Sequence, residues 1–311
     1  MSHEPVPVAV IGVGHLGSRH ARVYADLPRA DLVGVADVDL GRARAVGDLY
    51  GVQAVMDYRK LLPKVRAASV AVPTVNHHEL VLELVAAGKD VLVEKPAAAN
   101  VREAEEMVRA ARSAERVLAV GHTERYNPAV EALLAQASDP RFIEVHRLSS
   151  FTPRSLDIDV VLDLMIHDLD IVASLVRSDL RSLDAVGVPV VTNRVDIANA
   201  RLRFANGCVA NLTASRVSQD RVRKLRVFEK DRYVSLDYQE QEALCYRLVR
   251  APGSEPKIQR ERLAAKRQEP LKRELEDFLD AVLGRKAPRV SGQDGVVALE
   301  LAGSVLAAMK E

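Results

Sequence analysis

Short apolar runs alternate with amphipathic stretches from the start of the chain to about residue 121, a pattern that predicts strands buried on both faces beneath helices. Residues 8–11 are the first run, followed by a glycine turn and a helix-compatible segment through Tyr24. Residues 32–36, 69–72, 90–93 and 117–120 are the later strand candidates. Between them, residues 41–50, 77–87 and 101–113 suit helices, the second stopping at Gly88 as a C-cap. Such an order makes a parallel sheet whose strand ends share one edge, where ligands of open α/β sheets bind.

Beyond Asn127-Pro128 the character changes. A helix over about 129–137 leads to a partly alternating strand at 141–151 and a long helix at 159–176. Alternating runs follow at 201–204, 209–214, 225–228 and 233–238, and Asn206-Gly207 between the first two is a hairpin signal. The polar stretch 257–268 reads as a mobile connection, and residues 271–283 and 295–309 close the chain as helices. The expected architecture is α/β: a doubly wound parallel Rossmann sheet over 1–122, then an α+β domain over 123–311 with an open, mostly antiparallel sheet.

Composition narrows the partners. The 311 residues hold 44 basic and 43 acidic side chains, so no electrostatic case exists for nucleic acid or a membrane surface. Two cysteines, Cys208 and Cys245, read as reduced thiols rather than a disulfide framework. No apolar run approaches the ~20 residues that cross a bilayer, and the first residues MSHEPVPV lack the parts of a signal peptide. A cytoplasmic protein is expected. No His, Cys or Asp cluster has zinc spacing, so no metal is expected either.

The candidate chemistry begins at the first turn, Gly12-Val13-Gly14-His15-Leu16-Gly17. Strand, glycine turn and helix come in the order that cradles a pyrophosphate on backbone N–H groups at a helix N-terminus. Asp37 ends the second strand twenty positions after Gly17, where a carboxylate can accept hydrogen bonds from a ribose and repel a 2′-phosphate. NAD is therefore favoured over NADP, while Arg42 and Arg44 leave dual use open. Other strand ends on the ligand edge supply Pro73, Thr74 and His77, then Glu94-Lys95-Pro96, then His122 and Arg125. Lys95 is open to two readings, a solvated charge or an ammonium that stabilises an oxyanion as hydride leaves. Asp159, Asp163, His167, Asp170 and Ser174 recur at helical steps and form one stripe. That stripe is either the solvated side of an amphipathic helix or the seat of an acid/base histidine with an aspartate one turn away. Arg216 to Arg226 is a basic segment, most simply a charged strand face, from which one arginine could meet a phosphate.

Taken together and in order, GVGHLG at 12–17, Asp37, PTVNH at 73–77, EKP at 94–96 and D-x-x-x-H-x-x-D at 163–170 resemble the Gfo/Idh/MocA oxidoreductases over nearly the whole chain. The resemblance implies a Rossmann domain, an open-sheet second domain and assembly as a homodimer or homotetramer. It gives Lys95 the role of orienting substrate and polarising its hydroxyl, His167 that of acid/base, and Asp163 that of its partner or of a hydroxyl ligand. Two departures stand out: Val72-Pro73 replaces the family's frequent Thr-Pro, and Asp157-Ile158-Asp159 replaces its glycine-rich lead into the catalytic helix. GHTERYNPAV at 121–130 and the segment 141–170 resemble a narrower branch, bacterial enzymes that oxidise C3 of UDP-N-acetylglucosamine on the way to lipid A. That branch implies an aminotransferase acting next on the 3-keto sugar. With it, Arg125, Tyr126, Asn127 and Arg154 become candidates for nucleotide-sugar contacts. Another sugar, inositol or polyol as substrate, a glycosidase using tightly held NAD, and a non-catalytic NAD-binding protein are the alternatives.

Overall fold

The computed structural model describes residues 4–152, 158–252, 254–263 and 266–309. Its chain divides into two compact units, one running to Thr123 and including Glu269–Val296, the other formed by Glu124–Gln268 with the segment from Val297 onward.

The first unit is built on a six-stranded parallel sheet of β1 (Val6–Ile11), β2 (Ala30–Ala36), β3 (Gln53–Val55), β4 (Ala67–Val70), β5 (Asp90–Glu94) and β6 (Leu118–Gly121), in the order β3-β2-β1-β4-β5-β6. Chain direction across the sheet reverses between β1 and β4, which opens a ligand crevice at their C-terminal ends. Helices α1 (Gly17–Asp26), α2 (Leu40–Tyr50), α3 (His77–Ala86) and α4 (Val101–Ser113) make the crossovers. β4 and β5 are buried along their full length, which accounts for their continuous apolar runs. Helix starts follow local chemistry: the Asp39 carboxylate accepts the Gly41 and Arg42 amides at the head of α2, and Asn100 caps α4 through the Glu103 amide.

The second unit carries an eight-stranded sheet of β7 (Phe142–Leu148), β8 (Leu180–Val188), β9 (Ile197–Phe204), β10 (Val209–Ser215), β11 (Val222–Glu229), β12 (Arg232–Asp237), β13 (Glu242–Val249) and β14 (Lys257–Leu263), in the order β14-β13-β12-β11-β7-β10-β9-β8. All its pairs are antiparallel except β7 with β10. The Asn206-Gly207 turn joins β9 to β10, with Gly207 at φ +87°. Helix α5 (Pro128–Gln136) starts at an Asn127 cap with proline in its first turn and packs on β12, β13 and β14. A π-helical turn (Val161–Met165) packs on β10 and runs directly into α6 (Ile166–Val176).

Three expectations are corrected here. Residues 257–263 are not a mobile connection but the edge strand β14, paired with β13 from Ala243↔Leu263 to Val249↔Lys257. Its polar sequence suits an edge, where apolar side chains would invite pairing with other chains. The expected single helix over 159–176 is broken by the π turn. Finally, the chain after 122 is not wholly a second domain, because α7 (Pro270–Gly284) belongs to the first unit. Its apolar face, Leu275, Phe278, Leu279 and Val282, joins Ala21 and Tyr24 of α1 and the apolar residues of β1 in one core. The last helix, α8 (Gly292–Ala308), begins in the first unit and ends in the second.

Candidate active site

In the first unit the glycines do what their positions demand. Gly12 sits at φ +83°, and a Cβ there would meet the Ala71 carbonyl at 2.7 Å. A Cβ on Gly17 would lie 1.7 Å from the Gly12 carbonyl, so α1 can follow the turn this closely only from glycine. Around Gly14 nothing lies within 4 Å, leaving room for a phosphate to reach the backbone. Val13 is buried, His15 is exposed, and Leu16, 40% exposed, precedes the first turn of α1. The Asp37 carboxylate accepts the Val13 amide at 3.0 Å, the Asp39 amide at 2.9 Å and Arg42 Nη2 at 2.8 Å. Burial would raise this carboxyl, but the Arg42 hydrogen bond and the two amides outweigh it and hold it below the ordinary value. The turn, the open space at Gly14 and an ionised acid at the end of β2 fit an adenine dinucleotide.

The neighbouring strand ends are braced by histidines. His77 is buried, with Nδ1 3.0 Å from the Pro96 carbonyl and Nε2 2.9 Å from the Val72 carbonyl, so it ties the segment after β4 to the one after β5. Burial holds its imidazole below the usual histidine value, and a neutral ring donates to one of these carbonyls. His20, fully buried on α1, places Nε2 2.9 Å from Glu94 Oε1, while Glu94 Oε2 accepts the Lys95 amide at 3.2 Å. A Cβ on Gly121 would come within 2.9 Å of Glu94, so the acid lies flat across β6. Lys95 is half-buried directly after this anchored acid, Pro73 is exposed, and Thr74 is half-buried. His122 is buried at the end of β6.

In the second unit Asp163 lies in the π turn and His167 in the first turn of α6, both half-buried. The polar stripe is not solvated as a whole: Asp170 is 2% exposed and accepts Arg125 Nη1 at 3.0 Å, and Ser174 meets the same guanidinium. Asp168, off the stripe and 1% exposed, accepts Arg147 Nε and Nη2 at 2.7 Å each. Arg147 also donates to Glu124 at 3.0 Å, and the Tyr238 hydroxyl reaches Asp168 at 3.2 Å. Two buried ion pairs thus flank His167 on α6. Nothing in a 3.6-residue period announced Asp168, whose partner comes from β7. The lead into the π turn is pinned as well, since the Val195 amide donates to Asp159 and Arg216 donates to the Ile158 and Val195 carbonyls.

Of the nucleotide-sugar candidates, Arg125, Tyr126 and Asn127 are buried. Arg125 is held by Asp170, and Asn127 caps α5 and donates to the Tyr238 carbonyl at 3.0 Å. Arg154 lies outside the described residues. Among the described residues no three His, Cys, Asp or Glu side chains gather as a metal cage, and no helix is long and apolar enough to cross a membrane.

Residues 6–122 match the oxidoreductase family model described as an NAD-binding Rossmann fold, and residues 101–231 match the GFO/IDH/MocA C-terminal domain. UDP-N-acetylglucosamine 3-dehydrogenase of Acidithiobacillus ferrooxidans is 39% identical over 92% of this chain and 91% of its own length. The chain belongs to the Gfo/Idh/MocA family. A solved structure of that dehydrogenase superposes with a TM-score of 0.92 at 36% identity, covering 99% of both chains. Within the family, the myo-inositol 2-dehydrogenase of Thermotoga maritima is 25% identical over 98% of this chain and 96% of its own. Membership makes the protein an NAD-binding oxidoreductase.

Proposed function

We propose that this Gfo/Idh/MocA enzyme oxidises the C3 hydroxyl of UDP-N-acetylglucosamine to a 3-keto sugar. The observation that carries the reading is full-length similarity to the A. ferrooxidans enzyme, at 39% identity, with the same fold throughout. NAD, held at Gly12, Gly14, Gly17 and Asp37, supplies a hydride acceptor. His167 takes the hydroxyl proton on its imidazole, and Asp163 one turn earlier orients that ring or a neighbouring hydroxyl. Lys95 is the ammonium that stabilises the negative charge developing on the substrate as the C–H bond breaks. Glu94 and His77 hold the lysine segment from beneath, and Arg125 and Asn127 act by bracing the second unit. Homodimer or homotetramer assembly, a cytoplasmic setting and a role before lipid A belong to the same reading.

The test offers NAD⁺ with UDP-N-acetylglucosamine, UDP-glucose, myo-inositol and glucose, and follows NADH absorbance. UDP-N-acetylglucosamine should be turned over with the highest kcat/KM; preference for a free sugar or inositol would move the substrate elsewhere in the family. Lys95→Ala and His167→Asn should each lower kcat by about 10³-fold, with NADH affinity within about threefold of wild type. Wild-type kcat in either variant removes that residue from the mechanism.

A further inference from the structure

The structure sorts the five cations of the segment from Arg216 to Arg226. Arg216 is buried and lies 3.3 Å from Asp196, Lys224 lies 3.8 Å from Asp237, and Arg226 pairs with Glu144 at 2.8 Å. Arg221 and Arg223 are different. Among the described residues neither makes a hydrogen bond or ion pair.

Arg223 has no open surface position to explain this. On β11 it shares a face with buried Leu225 and Val227, and it stands directly opposite Arg147 of β7 in the ladder. It is half-buried, and its own carbonyl is taken by the Tyr238 amide at 3.0 Å. Arg147 cannot be relieved by it, because two guanidinium groups repel, and the acids nearby are already engaged: Asp168 bidentately and Glu124 singly, both by Arg147. Burial, followed by the Arg147 charge, depresses the Arg223 guanidinium, with Arg221 adding to the effect and Glu124 and Asp168 opposing it. Those groups amount to three guanidiniums against two carboxylates. A sheet that half-buries an arginine, gives its five N–H donors no acceptor and sets two more arginines around it holds a standing demand for an anion.

Location specifies the anion. Arg147 grips Asp168, and Asp168 follows His167 in α6, so Arg223 is the cross-strand neighbour of the residue that fixes the histidine's helical turn. We propose that Arg223, assisted by Arg221, forms the subsite for the diphosphate of a nucleotide-sugar substrate. This rests on the nucleotide-sugar reading above and names its phosphate contact. The planar guanidinium fork matches two phosphoryl oxygens, and half-burial strengthens the charge-assisted bonds.

Binding of UDP, inorganic pyrophosphate and uridine to the NAD-loaded protein is measured by calorimetry for wild type, Arg223→Leu, Arg223→Lys and Arg221→Gln. In Arg223→Leu the Kd for UDP and pyrophosphate should rise by about 30-fold or more, and in Arg221→Gln by about threefold, while uridine is bound as by wild type. Arg223→Lys, keeping the charge without the fork, should fall between. With sugar substrates, the Arg223→Leu defect should appear as a raised KM for UDP-sugars and spare free sugars. Because Arg221 is exposed, its variant reports even where Arg223→Leu fails to fold. Wild type that binds UDP and pyrophosphate, with both affinities unchanged in Arg223→Leu or, if that variant is unfolded, in Arg221→Gln, overturns the subsite alone. Wild type that binds neither probe overturns the subsite and the nucleotide-sugar reading together.

Discussion

Glu274 of the first unit and Asp168 of the second are each buried to 1% exposure, yet the two acids lie in opposite electrostatic surroundings. Asp168 lies against a cation, Arg147, which donates two parallel hydrogen bonds of 2.7 Å to it. Among the described residues Glu274 has no such cation, and burial, with Glu94 nearby, pushes its carboxyl well above the ordinary value. The contrast extends to each unit's chemistry. In the first, recognition rests on backbone, with glycines making room and the Val13 and Asp39 amides holding Asp37. In the second the buried contacts are between charged side chains, with Asp168 and Asp170 both paired with arginines just after His167.

The largest effect should come from breaking the second unit's pair. Arg147→Leu leaves Asp168 buried without its cation and removes the guanidinium from Glu124, and should cost about 3–5 kcal/mol in urea unfolding. Replacing both partners, Arg147→Met with Asp168→Leu, should recover more than half of that loss, since an apolar pair carries no desolvation cost. A loss in Arg147→Leu below about 1 kcal/mol would erase the proposed difference between the two acids.

This contrast also explains what was legible beforehand. Apart from the short edge strand β3, the first unit's order of elements, its glycine turn and Asp37 could be placed from local pattern, because each depends on residues close in sequence or on one strand-helix unit. Helix α4 was expected over the very residues it occupies, Val101–Ser113. The second unit's general form was also expected, but not what surrounds His167. The π turn changes the helical phase between Asp163 and His167, and Asp168 finds its partner twenty-one residues earlier on β7. Likewise, α7 was seen as a helix, but its membership of the first unit depends on a core assembled from both ends of the chain. The strands β8 and β13 were missed, their polar alternation being weak beside the hairpin at Asn206-Gly207.

A middle-sized effect tests backbone recognition. Asp37→Asn keeps an acceptor for the Val13 or Asp39 amide but removes the charge that Arg42 and a ribose would share. NAD affinity should fall about tenfold, or about 1.4 kcal/mol, with the preference for NAD over NADP narrowing as repulsion of a 2′-phosphate disappears. An unchanged NAD-to-NADP ratio of dissociation constants would show that Asp37 does not set the choice.

The smallest effect is the most direct opposite of the first. For an acid whose folded value is raised, the unfolded chain releases its proton first as pH climbs past about 4.5, so stability drops with rising pH until the folded value is reached. Glu274→Gln keeps the shape, can still meet Thr123, and has no proton to lose. It should therefore be close to wild type near pH 4.5 and more stable by about 1 kcal/mol at pH 8, an increase of roughly 2–4 °C in melting temperature. A melting-temperature difference that stays flat from pH 4.5 to 8 would mean Glu274 is ionised in the fold, and its contrast with Asp168 would then be lost.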